Sequence, residues 1–253
     1  PSSLLFMANM DIERENYRSA WELARKACAL APDDKNASMV LAQALFRLQR
    51  RKEAMALLDR IIKENPDYRN AVHRKAAFLA ELGHNDEALA FYERLLQSDP
   101  GHAAYRRDRA KVLYALGRVN EAEAEWESLS REALDPDAML NLGWAYVHDQ
   151  RIDDAFAIGM KLVDFDGKNP VFLRFLANLE LMRANFEEAY GLAQRAAAAA
   201  PDDRDAELVL AKSLCQLQRP KEAEPILNRL LKEYPDHPGV RYVSADFAYR
   251  IGR

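Results

Sequence analysis

The sequence predicts an all-α chain built as a solenoid of antiparallel helix pairs, and three observations predict it. Prolines and small residues recur every 34 positions, and apolar residues between them fall at helical spacing. Glycine is also too scarce for a turn-rich β fold, with 9 in 253 residues. The proline ruler reads Pro32, Pro66 and Pro100, then Pro136 and Pro170, then Pro201 and Pro235. Alanines give a cleaner one: Ala20, Ala54, Ala88, Ala122, Ala155, Ala189 and Ala223, stepping by 34 except for one step of 33. Twelve positions earlier runs Ala8, Ala42, Ala76, Ala110, Gly143, Ala177 and Ala211, with Ala245 opening an eighth unit.

Each 34-residue unit has room for two helices of about four turns and two short connections. In the second unit Leu41, Ala42, Leu45 and Leu48 mark one helix, and Ala54, Leu57, Leu58, Ile61 and Ile62 mark the next. The polar turn Gln49-Arg50-Arg51-Lys52 separates them; Gly83, Gly117 and Gly252 hold that place in other units and suit a helix C-terminus. Asn65-Pro66-Asp67 closes the unit, because proline cannot continue the helix and the nearby Asp can cap the next one. Asp33-Asp34 and Asp202-Asp203 are expected to do the same. The small residues mark where paired helices cross, so a large side chain there would hold the backbones apart. The expected organisation is a single array of seven full repeats, 1–34, 35–68, 69–102, 103–135, 136–169, 170–203 and 204–237, followed by the first helix of an eighth at 238–253.

These rulers make the chain resemble the tetratricopeptide repeat family over essentially its whole length. Asn141-Leu142-Gly143-Trp144-Ala145-Tyr146 followed by Ala155 looks most like the family's Leu-Gly-x-x-Tyr…Ala pattern. Other units keep the small residues but carry Leu45, Leu79, Leu113 or Leu214 where the pattern has Tyr. Leu134 and Gly167 replace the terminal proline, and Asp11 and Glu180 stand at a position that is usually apolar, which implies looser packing there. The resemblance implies a right-handed superhelix. The first helix is apolar around most of its surface (Leu4, Leu5, Phe6, Met7, Met10, Ile12) and Ile251-Gly252-Arg253 is an inter-helix turn, so both ends are expected to be open to a longer array or a second molecule.

The resemblance also implies a groove lined by the first helix of each unit, which takes an extended peptide or a partner's helix. Carried over residue by residue, the groove positions give two patches. One is Asn70, His73, Arg74, Arg107 and Lys111, whose cations can pair with carboxylates on a partner. The other is Asn141, Trp144, Phe175, Asn178, Leu181 and Met182, which offers aromatic anchors beside backbone-binding amides. The family's clamp for a chaperone C-terminus is incomplete: Asn9 is present, but Leu5 and Val40 replace a Lys and an Asn.

Charge and motif content narrow the function further. A formal net charge of −4 leaves no basic excess for nucleic acid. No apolar stretch reaches the roughly 18 residues of a membrane span, so no membrane insertion by this segment is expected. Cys28 and Cys215 read as free thiols. The five histidines lack metal-ligand spacing, and neither a nucleophile elbow nor a phosphate-binding glycine loop occurs. Asp164–Asn169 begins like a calcium loop, but Phe175 stands where the closing Glu belongs, and an inter-repeat turn is expected instead. The expectation is therefore a non-catalytic protein-interaction scaffold with no cofactor and no metal.

Arginine outnumbers lysine 25 to 11, a bias that accompanies GC-rich bacterial genomes. Long, alanine-rich arrays of this kind resemble the periplasmic portions of exopolysaccharide export proteins. That resemblance implies a periplasmic setting and polysaccharide-modifying enzymes as partners. A cytoplasmic peptide-binding adaptor, and a polysaccharide binder that stacks sugars on Trp144, Tyr114 and Phe175, are the alternatives.

Overall fold

The computed structural model describes residues 2–252, which fold into fifteen α-helices with no strand among them. The first member of each hairpin is α1 (Ser2–Glu13), α3 (Lys35–Arg47), α5 (Arg69–Glu81), α7 (Ala103–Ala115), α9 (Pro136–His148), α11 (Pro170–Met182), α13 (Arg204–Gln216) and α15 (Pro238–Arg250). The second members are α2 (Tyr17–Leu30), α4 (Arg51–Glu64), α6 (Asn85–Ser98), α8 (Val119–Glu132), α10 (Ile152–Phe165), α12 (Phe186–Ala199) and α14 (Pro220–Glu233). The helices form two compact units, Pro1–Glu125 and Trp126–Arg253. Consecutive helices pack on one another from α1 to α7 in the first unit and from α9 to α15 in the second, and first helices also touch first helices (α1 with α3, α5 with α7; α11 with α13, α13 with α15). Arg253, the last residue of the turn expected after α15, lies outside the described residues.

Every described turn inside a hairpin follows one design. The residue after the helix cap takes a left-handed conformation, at Glu15, Gln49, Gly83, Gly117, Gln150, Ala184, Gln218 and Gly252. Paired backbone bonds close the helix end: Gln49 N–H to Phe46 O and Arg50 N–H to Leu45 O, repeated as Ala184 to Leu181 and Asn185 to Glu180. Only three of these eight residues are glycine, so five L side chains sit where their Cβ crowds the backbone. The following residue starts the second helix and binds its third residue: Arg50 to Glu53, Arg118 to Glu121, Arg151 to Asp154 and Arg219 to Glu222. Arg50 and Arg219 also lie over the rings of Trp21 and Tyr190, each 29 residues earlier, at 5.1 and 4.4 Å.

Between hairpins, Asp34 and Asp203 cap α3 and α13 as expected, accepting backbone N–H groups at 2.8–3.3 Å. Asp135, Asn169 and His237 cap α9, α11 and α15 in the same way. Asp67 does not: Tyr68 holds the cap position of α5 and supplies no side-chain bond. Pro66 and Asp67 sit a residue too early for the carboxylate to reach the first turn. Of the expected turn Asp164–Asn169, the first two residues belong to the end of α10 and 166–169 connect it to α11, with Asp166 accepting from Lys168 N–H and Asn169 from Val171 N–H.

The core lies where paired helices cross. Ala8, Ala42, Ala76, Ala110, Ala177 and Ala211 are fully buried, as are all seven alanines of the second ruler. Gly143 is buried as well, and Ala245 alone of its ruler is exposed. One cluster joins Ala42 and Leu45 to Ala54, Leu58 and Ile61; another joins Ala211 and Leu214 to Ala223 and Leu227. The two carboxylates expected to loosen packing are both satisfied: Ser19 donates to Asp11 and Asn185 to Glu180, at 2.5 and 2.8 Å. Phe6 and Met7 are exposed on α1. Cys28 and Cys215 are free thiols, and burial is the largest influence raising the pKa of each.

Candidate partner-binding faces

In the first unit the expected cationic patch spans α5 and α7. Asn70 and Lys111 are exposed; His73, Arg74 and Arg107 are half-buried. Sequence reasoning missed Asp108, which organises the patch. His73 Nε2 lies 2.8 Å from Asp108 Oδ2, Lys111 Nζ donates to Asp108 Oδ1 at 3.2 Å, and Arg107 Nε is 3.9 Å from the same oxygen. Burial would raise the Asp108 pKa, but the hydrogen bonds and charges of His73 and Lys111 outweigh it and hold the carboxyl below its usual range. His73 and Lys111 thus already share a carboxylate within the chain, whereas Arg74 makes no contact with Asp108. The available signal was Asp108 itself, next to Arg107 and 35 residues after His73.

Around this cluster the rings are tightly placed. His73 meets Tyr92 and Tyr105 edge-on, with centroids 5.8 and 5.0 Å apart, and Tyr105 stacks on His102 at 3.6 Å. Burial pushes the Tyr92 hydroxyl far above its usual pKa, so it is a neutral donor at any physiological pH. Arg74 lies beside the Arg47–Glu81 pair, in which Arg47 bonds both carboxylate oxygens at 2.8 and 3.2 Å. Burial and then the Arg47 charge lower the Arg74 pKa, against the opposing pull of Glu81. A guanidinium stays charged regardless, so Arg74 is a cation held in a poorly solvated place.

In the second unit the patch on α9 and α11 divides by burial. Trp144 is 45% exposed and Met182 54%, whereas Phe175 is 1% exposed. Phe175 therefore packs in the core, and the expectation that it anchors a partner or stacks a sugar is corrected. The reason is Gly143, whose missing side chain admits the ring between α9 and α10. Trp144 stands edge-on to Phe175, centroids 4.8 Å apart, so the buried ring props the exposed one. Asn141 is half-buried and its Nδ2 has no hydrogen-bond partner. Asn178 Nδ2 donates to the Arg174 carbonyl one turn back, at 3.0 Å. Arg174 in turn grips Asp203, with Asp205 at 3.5 Å, which ties α11 to α13. Among the described residues no group of three His, Cys, Asp or Glu is placed to hold a metal, and no helix is long and apolar enough to cross a membrane.

The sequence model of the tetratricopeptide repeat matches residues 79–136 and 180–247. The chain belongs to the tetratricopeptide repeat family. A second model, for anaphase-promoting complex, cyclosome, subunit 3, matches residues 13–95. No curated protein matches the chain in sequence. Among solved structures, yeast Tom70 superposes with a TM-score of 0.83 at 17% identity, covering 96% of this chain and 53% of that one. The APC/C hetero-tetramer Cut9–Hcn1 gives 0.71 at 14% identity, with 98% and 49% covered. Pseudomonas aeruginosa PilF gives 0.65 at 17% identity, with 83% and 96% covered. The chain thus spans about half of the first two and nearly all of the third. At these identities the likeness is one of fold, that of the tetratricopeptide repeat solenoid.

Proposed function

We propose that the chain is a non-catalytic scaffold that binds a protein partner through first-helix faces, taking an extended segment of that partner on α9 and α11. One observation carries this reading: Trp144 is exposed on α9 and braced by the buried Phe175 ring of α11, with half-buried amides on the same two helices, Asn141 and Asn178. An aromatic ring held rigid from beneath loses little entropy on binding, and carboxamides can both donate to and accept from an extended backbone. The family supports it, since its neighbours in fold include a subunit of a hetero-tetrameric assembly. The Asn70–His73–Arg74–Arg107–Lys111 face is the weaker of the two, because Asp108 already binds His73 and Lys111.

The finer setting we infer is a bacterial multi-protein assembly, with exopolysaccharide export as the case in point. It is supported by the arginine bias and the alanine-rich array, and it would make polysaccharide-modifying enzymes the partners. The test is capture from the source organism with the chain and with its Trp144→Ala/Asn178→Ala variant, followed by titration of the purified partner. A protein bound by the parent chain and lost with the folded variant is the expected result. Equal affinity for both would refute the α9–α11 face, and binding of purified glycan in place of protein would refute the scaffold reading.

A further inference from the structure

A cleft of about 570 Å³ opens in the first unit where α2, α3 and α4 meet. Asp33, Lys35, Arg60 and Glu64 stand around it, all four exposed. Among the described residues none of the four makes an ion pair or a side-chain hydrogen bond; Lys35 Nζ lies over the Tyr68 ring, at 5.5 Å. Two other side chains of the cleft are withdrawn from solvent: Cys28 is half-buried, Ser38 is 9% exposed, and the Ser38 side chain hydrogen-bonds the thiol.

The next hairpin supplies an internal comparison. The equivalent cleft, 34 residues on, has a volume of about 440 Å³, and both of its cations are held. Arg69 Nη1 lies 3.5 Å from Asp99, and Arg94 donates to the Pro66 carbonyl at 3.4 Å. In the first cleft Asn65 stands at the position of Asp99, so Lys35 has no carboxylate there, and Arg60 makes no bond to Pro32. Arg195 and Arg229, at the same repeat position as Arg60, bind the Gly167 carbonyl and Glu207. Of these four arginines only Arg60 is unengaged. Cys28 and Ser38 stand where the next repeat has Ile62 and Val72, which widens the cleft and makes its inner surface polar.

Two unpaired cations and two unpaired carboxylates around one concavity select a ligand that carries both signs. A simple anion would meet Asp33 and Glu64, and a simple cation would meet Lys35 and Arg60. The volume lies in the range of small-molecule sites, about 300–1,000 Å³. We propose that this cleft binds a small zwitterion, a free α-amino acid, whose carboxylate is held by Lys35 and Arg60 and whose ammonium faces Asp33 and Glu64. Charge-assisted hydrogen bonds of this kind are stronger than neutral ones. The cleft belongs to the other unit from Trp144, so neither proposal depends on the other.

The test titrates the whole chain with each of the twenty L-amino acids by calorimetry and follows alkylation of Cys28 by N-ethylmaleimide, with the buried Cys215 as reference. Saturable binding of at least one amino acid is expected, together with slower alkylation of Cys28 in its presence. The matching deaminated acid and decarboxylated amine should each bind at least about tenfold more weakly, as should Arg60→Glu and Glu64→Lys chains toward the amino acid itself. Both residues are exposed, so these variants should keep their helical circular dichroism and melting temperature. Arg94→Glu, in the next cleft, should bind as the parent does. Failure of all twenty to bind would overturn the proposal. So would equal binding of the deaminated acid, which would make the cleft a plain anion site. Affinity unchanged by Arg60→Glu, or Cys28 alkylation unaffected by bound amino acid, would place the ligand elsewhere and equally overturn it.

Discussion

The ring of Phe175 occupies the space that a β-carbon on Gly143 would need: its Cζ lies 2.6 Å from that position, and Ile158 Cγ2 lies 3.3 Å from it. This is why the alanine ruler is broken at that one place. Gly143→Ala should destabilise the second unit by about 1–3 kcal/mol through overpacking, read as a lower melting temperature or denaturant midpoint. Adding Phe175→Leu should recover part of the loss. A Gly143→Ala chain as stable as the parent would mean that the ring moves aside at no cost.

The left-handed turn residues predict gains as well as losses. Ala184 (φ 62°) and Gln218 (φ 56°) hold a conformation that disfavours any side chain. Ala184→Gly and Gln218→Gly should each stabilise the chain by about 0.5–1 kcal/mol, the relief of strain exceeding the entropy glycine adds to the unfolded chain. Gly117→Ala, at φ 78°, should cost about as much. Chemical denaturation of the three variants checks both signs.

Asp108 predicts an acid-sensitive contribution in the first unit. Its folded pKa lies below the unfolded value, so the folded state binds fewer protons. The stability it supplies is present above the unfolded carboxylate range, near pH 4, and is lost as pH falls through the lower folded value. Asp108→Asn should remove that part of the pH dependence and cost about 1–3 kcal/mol at neutral pH, the scale of hydrogen bonds to a charged group. Parallel pH–stability curves for the two chains would contradict this account of the cluster.

Burial separates two aromatic neighbours by experiment. Phe175→Ala should cost about 3–5 kcal/mol of stability, because a buried ring leaves a cavity. Trp144→Ala should leave stability within about 1 kcal/mol, since nearly half of that side chain is already in water, and should instead weaken partner binding. A Trp144→Ala chain that melts like Phe175→Ala would make Trp144 a core residue.

Much of the candidate site was legible because groove positions follow from the repeat register. Trp144, Asn141 and Asn178 were placed on first helices by counting alone. Asp108 escaped because its meaning depends on His73, 35 residues earlier and on another helix. Phe175 was misplaced because the volume that receives it is created by Gly143, 32 residues away on α9. The capping role of Asp67 failed by one position, a displacement that composition does not register.

What the sequence determined alone was therefore most of what is local or periodic: helices and their pairing, the small residues at each crossing, and the caps at Asp34 and Asp203. Helix propensity, turn chemistry and a steric limit at a fixed spacing act within one repeat, so a linear pattern contains them. Only tertiary structure decided which groove residues already shared a carboxylate and which of two neighbouring rings faced water. Charge pairing and volume filling act between helices a whole repeat apart, and no spacing rule encodes which side chain arrives first.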